Sequence, residues 1–209
     1  MLEATIALGA ALALKFGDGE FALQLNDSAI SVKGERNGTI IAAALQSPPT
    51  RSQAAPPELV EQALTLFGYH REQLDDRLPP ALIHAGANHL LLALNSRAAL
   101  SAMHYKLDEG RALMQQHGLV TIVLAYAETP QLFHTRNPFA SGGVYEDPAT
   151  GASSAALAGY LRDIHWPHGG GVDFVQGEDM GMRSKIRAEM SLVPGASIRV
   201  SGTARLMDE

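Results

Sequence analysis

The sequence predicts an α+β fold built from two related lobes. Strand-like segments outnumber helical ones, and their hairpin-like spacing favours antiparallel pairing over alternating βαβ units. Residues 4–13 (ATIALGAALA) and 149–158 (ATGASSAALA) are identical at seven of ten aligned positions. Each copy leads through a glycine-containing turn into a strand. The repeat therefore predicts a helix at the same place in each of two lobes.

Composition indicates an ordinary globular protein and argues against several function classes. Of the 209 residues, 46% are hydrophobic and 18% are charged, which is enough to bury a core. A formal net charge of -6, without a Lys/Arg cluster, argues against nucleic-acid binding. Cysteine is absent, which excludes disulfides and thiolate catalysis. The sequence has no membrane-length apolar run and no basic signal-peptide start, so we expect no membrane partner and a cytoplasmic location.

The first elements follow from hydrophobic periodicity and turn residues. Residues 4–16 predict a helix, and Asp18 with Gly19 then turns the chain into strands. Residues 47–57 are rich in proline and small polar residues and predict a linker. A helix is predicted from the proline-led segment PELVEQALTLF, which ends at Gly68. The strands predicted before the linker are 21–25, 29–35 and 39–46.

Beyond Gly68 the sequence predicts strands interrupted by two short helices. Apolar spacing places these helices near 96–103 and over 107–117. The predicted strands are 81–86, 89–95, 119–128, 131–136, 171–177, 184–193 and 197–207.

The helix that follows EDPATG has very small side chains. Ala or Ser fills positions 152–156, and Gly159 adds no bulk, whereas Leu157, Leu161 and Ile164 give it one larger apolar face. Neighbouring elements can approach such a helix closely from all sides. This favours a position inside a wrapped sheet, and an ordinary amphipathic surface helix with many alanines is the alternative.

The start of that helix carries groups suited to binding a small anion. Asp147 or Thr150 could cap it, depending on where it begins. The first-turn N–H groups of Gly151, Ala152 and Ser153 have no acceptor within the helix, and the positive end of the helix dipole lies behind them. A carboxylate is a suitable ligand for such a helix start.

The repeated segment supplies a second helix start. If the two starts face each other, Ala4 and Thr5 offer amides across a cleft, and a small carboxylate substrate fits between them. The alternative for Asp147 is a capping role alone, as for most Asp residues at helix starts. Asn88 and His89 could also face a cleft, although polar residues at strand edges usually have no such role.

Four segments resemble the PhzF (phenazine biosynthesis-like) family, which has the diaminopimelate epimerase fold. Residues 136–162 resemble the family signature around EDPATG, and residues 176–186 (QGEDMGMRSKI) resemble its second block. Residues 197–207 are similar to its closing strand, and residues 3–12 (EATIALGAAL) to its GHATLAAA helix start. The resemblance covers essentially the whole chain from residue 3.

The resemblance implies two pseudo-symmetric lobes, each with strands wrapped around a central helix, and an active cleft between them. Family members act as isomerases or epimerases that move a proton with acidic side chains, without a cofactor or a metal. Asp147 matches the family's cleft aspartate. Gly151 and its neighbours match the segment that holds the substrate carboxylate.

The departures from the family pattern concern the first lobe. The sequence begins almost on the GHAT block, which implies a truncated first lobe in residues 1–50, with a strand in 196–207 returning to it, and a second lobe in 57–195. The family's principal acid/base glutamate then has no counterpart here. Glu3 falls on the family's histidine and is a weaker acid/base candidate, and Ala152 stands where a serine is often found. An exposed helix and sheet edge in a shortened lobe predict a homodimer.

Three functions stay open from the sequence. The first is a cofactor-independent isomerase that acts on a small carboxylate. The second is a catalytically impaired relative that binds a carboxylate or a protein partner. The third is a piece of an active enzyme whose start lies upstream of Met1.

Overall fold

A mixed sheet of twelve strands organises the residues that the computed structural model describes, which are 15–24, 29–37 and 40–205. The strands are β1 (Gly19–Gln24), β2 (Ala29–Asn37), β3 (Ile40–Gln46), β4 (Arg51–Ala54), β5 (Ala81–His84), β6 (Asn88–Ala93), β7 (Thr121–Thr129), β8 (Leu132–Phe139), β9 (Val144–Asp147), β10 (Gly171–Gln176), β11 (Ser184–Glu189) and β12 (Arg199–Arg205). The helices are α1 (Pro57–Phe67), α2 (Arg97–Ser101), α3 (Leu107–Gln116) and α4 (Gly151–Asp163). Strands outnumber helices in these ranges, and the α+β prediction is confirmed.

The sheet runs in the order β1-β2-β3-β12-β11-β10-β8-β7-β6-β5-β4, with β9 paired to β8 beside this path. Most neighbours are antiparallel, as the hairpin spacing predicts, but β6 pairs with β7 and β8 with β10 in parallel. β12 lies between β3 and β11, so a strand near the end of the chain joins strands that precede residue 50. The division into two lobes at 1–50 and 57–195 stays a prediction.

The linker prediction for residues 47–57 is wrong, because part of this segment is a strand. β4 pairs with β5 from Arg51 opposite His84 to Ala54 opposite Ala81. The prolines that suggested a linker flank the strand and do not interrupt it, so none of them removes a donor from the ladder. A further backbone hydrogen bond, from Thr50 N to Gly195 O at 3.0 Å, ties the segment to the connection between β11 and β12.

Helix α1 forms as its sequence predicts. Proline occupies its first turn, and the chain leaves the helix through Gly68 in the left-handed conformation (φ 67°). The amide of Tyr69 then donates to Leu64 O at 2.9 Å. The apolar face of α1 joins α2 and α3 in a core over one face of β6 and β7. In the described ranges, no helix is long and apolar enough to cross a membrane.

Helix α4 lies inside the curled sheet. Every residue from Gly151 to Arg162 is buried, and strands β4, β5, β6, β10, β11 and β12 contact the helix. A Cβ placed on Gly159 would lie 2.6 Å from Thr50 Oγ1, so a larger residue would collide with the chain that enters β4. The small side chains therefore serve close packing all round. The interior position is confirmed, and the surface-helix alternative is wrong.

Candidate active site

Asp147 ends β9 immediately before the turn into α4. Its strand pairs with β8, with Asn137 opposite Asp147 and Pro138 opposite Glu146. The Asp147 side chain is partly exposed, and its Oδ2 accepts a short hydrogen bond from the Thr150 hydroxyl. A partly exposed carboxylate is thus held beside the N-terminus of α4.

Gln176, which the sequence analysis did not single out, holds this turn together. It is the last residue of β10 and is fully buried. Its Nε2 donates to Asp147 O at 2.7 Å and to Thr150 Oγ1 at 2.9 Å, and its Oε1 accepts from Thr150 N at 3.1 Å. Because the Thr150 hydroxyl oxygen accepts a hydrogen bond from Gln176, its single proton is free to be donated to Asp147. Gln176 thus donates to Thr150, and Thr150 donates to the Asp147 carboxylate, which makes a chain of two hydrogen bonds that ends on Asp147.

The helix start differs from the sequence prediction in its capping. α4 begins at Gly151 with Thr150 as the N-cap residue, and no side chain caps it. Neither Asp147 nor Thr150 caps by its side chain, because the Thr150 hydroxyl is committed to the Asp147 carboxylate. The hydroxyls of Ser153 and Ser154 donate back to Thr150 O at 3.1 and 2.9 Å. Among the residues that the structure describes, no side chain accepts from the first-turn amides.

The residues predicted to bind substrate fall into two groups. Gly151, Ala152 and Ser153 are buried at the start of α4, beside Thr150. Glu3, Ala4 and Thr5, predicted from the repeated segment and the resemblance, lie outside the described residues. The substrate-binding and catalytic roles of both groups stay predictions.

A buried ion pair fixes the strand that carries Asp147. Arg136 on β8 and Glu146 on β9 are both buried and meet in a bidentate contact, with Nε–Oε1 at 3.0 Å and Nη2–Oε2 at 2.5 Å. The remaining Arg136 nitrogen, Nη1, donates to carbonyls at the end of α2, including Ser101 O at 3.0 Å. The pair therefore ties the β8–β9 hairpin to α2.

The turn 177–182 closes one side of the site. Gly177 has φ 72°, and a Cβ there would lie 2.4 Å from Met182 O and 2.9 Å from Pro148 O. The turn is anchored to α2, because Ser101 Oγ donates to Asp179 Oδ1 at 2.7 Å and Arg97 pairs with the same carboxylate at 3.0 Å. Burial raises the pKa of Asp179, but the hydrogen bonds from Arg97 and Ser101 outweigh it and hold that pKa below its usual value.

Replacing Gly177 with alanine is expected to destabilise the protein by about 2–3 kcal/mol, because the methyl group meets two backbone carbonyls in a left-handed conformation. Urea unfolding measures the change. Gly181→Ala is the matched control, since Gly181 has φ 79° but open space around its Cβ, and it is expected to lose about 1 kcal/mol. Equal losses in the two variants would contradict the close approach at Gly177.

No group of three or more His, Asp or Glu side chains in the described part of the chain is arranged to hold a metal ion. The polar groups at the start of α4 are amides, hydroxyls and one carboxylate. Such groups can bind a small anion and exchange a proton.

Comparison with known proteins identifies the family. The model of the phenazine biosynthesis-like (PhzC-PhzF) family matches residues 3–209. The chain belongs to this family. A trans-2,3-dihydro-3-hydroxyanthranilate isomerase of Pseudomonas aeruginosa is 30% identical over 220 residues, covering 100% of this chain and 71% of the relative. The family prediction is confirmed.

Solved structures in and around the PhzC-PhzF family share the fold. A predicted epimerase from Pseudomonas aeruginosa superposes with a TM-score of 0.78 at 21% identity, over 98% of this chain and 73% of that one. A PhzF-family protein from Bacillus anthracis gives 0.77 at 13% identity, over 97% and 73%. The diaminopimelate epimerase-like fold is confirmed, and the truncation of the first lobe stays a prediction. Membership of the PhzC-PhzF family supports an isomerase or epimerase.

Proposed function

We propose that this PhzC-PhzF family member is a cofactor-independent isomerase that moves a proton on a small carboxylate-bearing substrate, with Asp147 as an acid/base group. The observation that carries the proposal is the donor chain from Gln176 through Thr150 to the Asp147 carboxylate. The donor chain engages one oxygen of the Asp147 carboxylate. The Asp147 side chain is partly exposed, so its remaining lone pairs can contact a substrate.

The start of α4 supports the choice of a carboxylate as the substrate group. The N–H groups of Gly151, Ala152 and Ser153 begin four residues after Asp147, and no side chain in the described part of the chain accepts from them. A substrate carboxylate bound by these amides would bring the adjacent carbon close to the Asp147 side chain. Residues 147–153 would then supply both the amides that bind the substrate carboxylate and the side chain that takes the proton.

The proposed reaction needs one proton and no redox partner. The Asp147 carboxylate takes a proton from a substrate carbon, and the electrons of the broken C–H bond shift into the neighbouring unsaturated system. A proton is then returned to a different carbon, either by Asp147 or by a second acid/base group, for which Glu3 is our candidate. Substrate and product have the same atoms.

The direct test is incorporation of solvent deuterium. The purified chain is incubated in deuterated water with trans-2,3-dihydro-3-hydroxyanthranilate, the compound in the relative's name, and with a panel of cyclic and amino-acid carboxylates. We expect carbon-bound deuterium in at least one recovered compound by mass spectrometry. No incorporation across the panel would overturn the proposal. Thermal stabilisation by a carboxylate without exchange would instead support a binding protein.

Replacing Thr150 with valine is expected to lower kcat about tenfold and leave KM nearly unchanged, because the Asp147 carboxylate loses the donor that orients it. Deuterium incorporation at several substrate concentrations measures both constants. Thr150→Ser keeps the hydroxyl and should recover most of the rate. A wild-type kcat in Thr150→Val would show that this hydroxyl does not orient the carboxylate.

The homodimer predicted from the sequence is likewise a proposal. A second copy of the chain would cover the edge of the sheet at β1. Light scattering coupled to gel filtration would give twice the 22.2 kDa mass of the chain. A mass of one chain would overturn it.

A further inference from the structure

Asn137 on β8 lies directly opposite Asp147 on β9. Directly opposite residues of an antiparallel pair point their side chains to the same side of the sheet, with Cβ atoms about 5 Å apart. The Asn137 side chain is therefore a near neighbour of the Asp147 carboxyl group. It takes no part in the donor chain from Gln176 through Thr150.

The side-chain amide of Asn137 is buried, and its N–H₂ group has no hydrogen-bond acceptor among the described residues. The residue is 0% exposed, and its Oδ1 accepts a hydrogen bond from the Thr121 hydroxyl at 3.4 Å. Its Nδ2 is buried and has no acceptor among the residues that the structure describes. Burying an amide without a partner opposes folding, so an unused donor of this kind calls for an explanation.

His89 and Thr121 fix the direction of this amide. His89 is fully buried, and its Nδ1 lies 2.7 Å from Thr121 Oγ1. Burial lowers the pKa of His89 to about 3, so the ring is neutral near pH 7. We assign the Thr121 hydroxyl as the hydrogen-bond donor to Asn137 Oδ1, so that the neutral His89 ring donates from Nδ1 to Thr121 Oγ1. With Oδ1 held on that side, Nδ2 points the other way.

The burial of Asn137 and its pairing opposite Asp147 indicate which group can accept a hydrogen bond from Asn137 Nδ2. A fully buried amide has no exposed atom with which to contact a bound substrate, so its partner is a neighbouring protein group. The carboxylate of Asp147 lies directly opposite Asn137 on the facing strand, and it has lone pairs beyond the one that Thr150 uses, whereas the other carboxylate of that strand, Glu146, is engaged by Arg136.

We propose that Asn137 is a positioning residue that donates a second hydrogen bond from Nδ2 to the Asp147 carboxylate, in a rotamer of Asp147 that brings the two facing side chains together. Two donors on different sides then fix the plane of the carboxylate while one oxygen takes the proton. The inference rests on the proposed acid/base function of Asp147.

The kinetic test uses Asn137→Leu, which is close in size and removes the amide. We expect kcat for deuterium incorporation to fall about tenfold with KM unchanged, and the thermal midpoint to stay the same or rise, since an unpartnered buried donor is lost. An unchanged kcat in Asn137→Leu would overturn the proposal.

A second measurement does not depend on turnover. The side-chain N–H₂ resonances of Asn137, identified by their loss in Asn137→Leu, are followed by NMR from about pH 7 to about pH 3, where carboxyl groups take up protons. We expect a pH-dependent shift in the wild type that disappears in Asp147→Asn, which separates Asp147 from the nearby Glu146. A shift that survives in Asp147→Asn would overturn the contact. If the wild type incorporates no deuterium from any compound tested, the proposed function fails, and the NMR result alone decides the contact.

Discussion

Replacing Asp147 with asparagine is expected to lower deuterium incorporation about a thousandfold, because the amide keeps the size of the side chain but does not accept a substrate proton at neutral pH. Asparagine retains an oxygen that can accept the hydrogen bond from Thr150, so the turn into α4 should keep its geometry. The exchange rate is measured by mass spectrometry on the best compound of the panel. The thermal midpoint of the variant is expected to match the wild type.

Asp173→Asn is the control for this variant. Asp173 is an exposed carboxylate on β10 that pairs with Arg187 at 2.9 Å, and its replacement should leave the exchange rate unchanged. An Asp147→Asn protein that keeps exchanging would remove Asp147 from the mechanism. The start of α4 would then be left with a binding role.

Replacing Arg136 with methionine is expected to destabilise the protein by about 3–5 kcal/mol, because Glu146 would be left as a buried charge without its partner. Several α2 carbonyls would lose a donor at the same time. Urea unfolding followed by circular dichroism measures the loss.

The double variant Arg136→Met/Glu146→Leu separates the ion pair from simple loss of packing. Removing both charges leaves no uncompensated group, so most of the stability should return. Arg187→Met is the surface control, since it breaks an exposed pair with Asp173 and should cost less than about 1 kcal/mol. A double variant as unstable as Arg136→Met would indicate that the arginine contributes through the α2 carbonyls instead.

Much of the central architecture was predictable from side-chain size. The run of Ala, Ser and Gly in α4 favours an enclosed position, because small side chains let neighbouring elements approach on every face, and this is the position found in the structure. Periodicity also located α1, because Pro57 and Gly68 mark its ends with local backbone chemistry. The EDPATG resemblance located Asp147 at the helix start.

The parts that were missed depend on contacts between distant segments. Gln176 reaches Thr150 across 26 residues, and nothing local in QGEDMG reveals that its amide is buried. The capping prediction failed because tertiary packing uses the Thr150 hydroxyl elsewhere: its oxygen accepts from Gln176 Nε2 in place of a helix amide, and its proton is directed to the Asp147 carboxylate. Residues 51–54 resembled a linker because their strand propensity is weak. They form a strand because pairing with β5 outweighs that weak propensity.

The position of β12 between β3 and β11 has a consequence for the order of folding. Ile198, just before β12, donates its amide proton to Ser47 Oγ across 151 residues. β3 and β11 do not pair with each other directly, so the two halves of the sheet meet through β12. Synthesis therefore delivers the joining strand after both of its neighbours, and the edges of β3 and β11 stay unpaired until it arrives. In this topology, closure of the sheet is a late and long-range event.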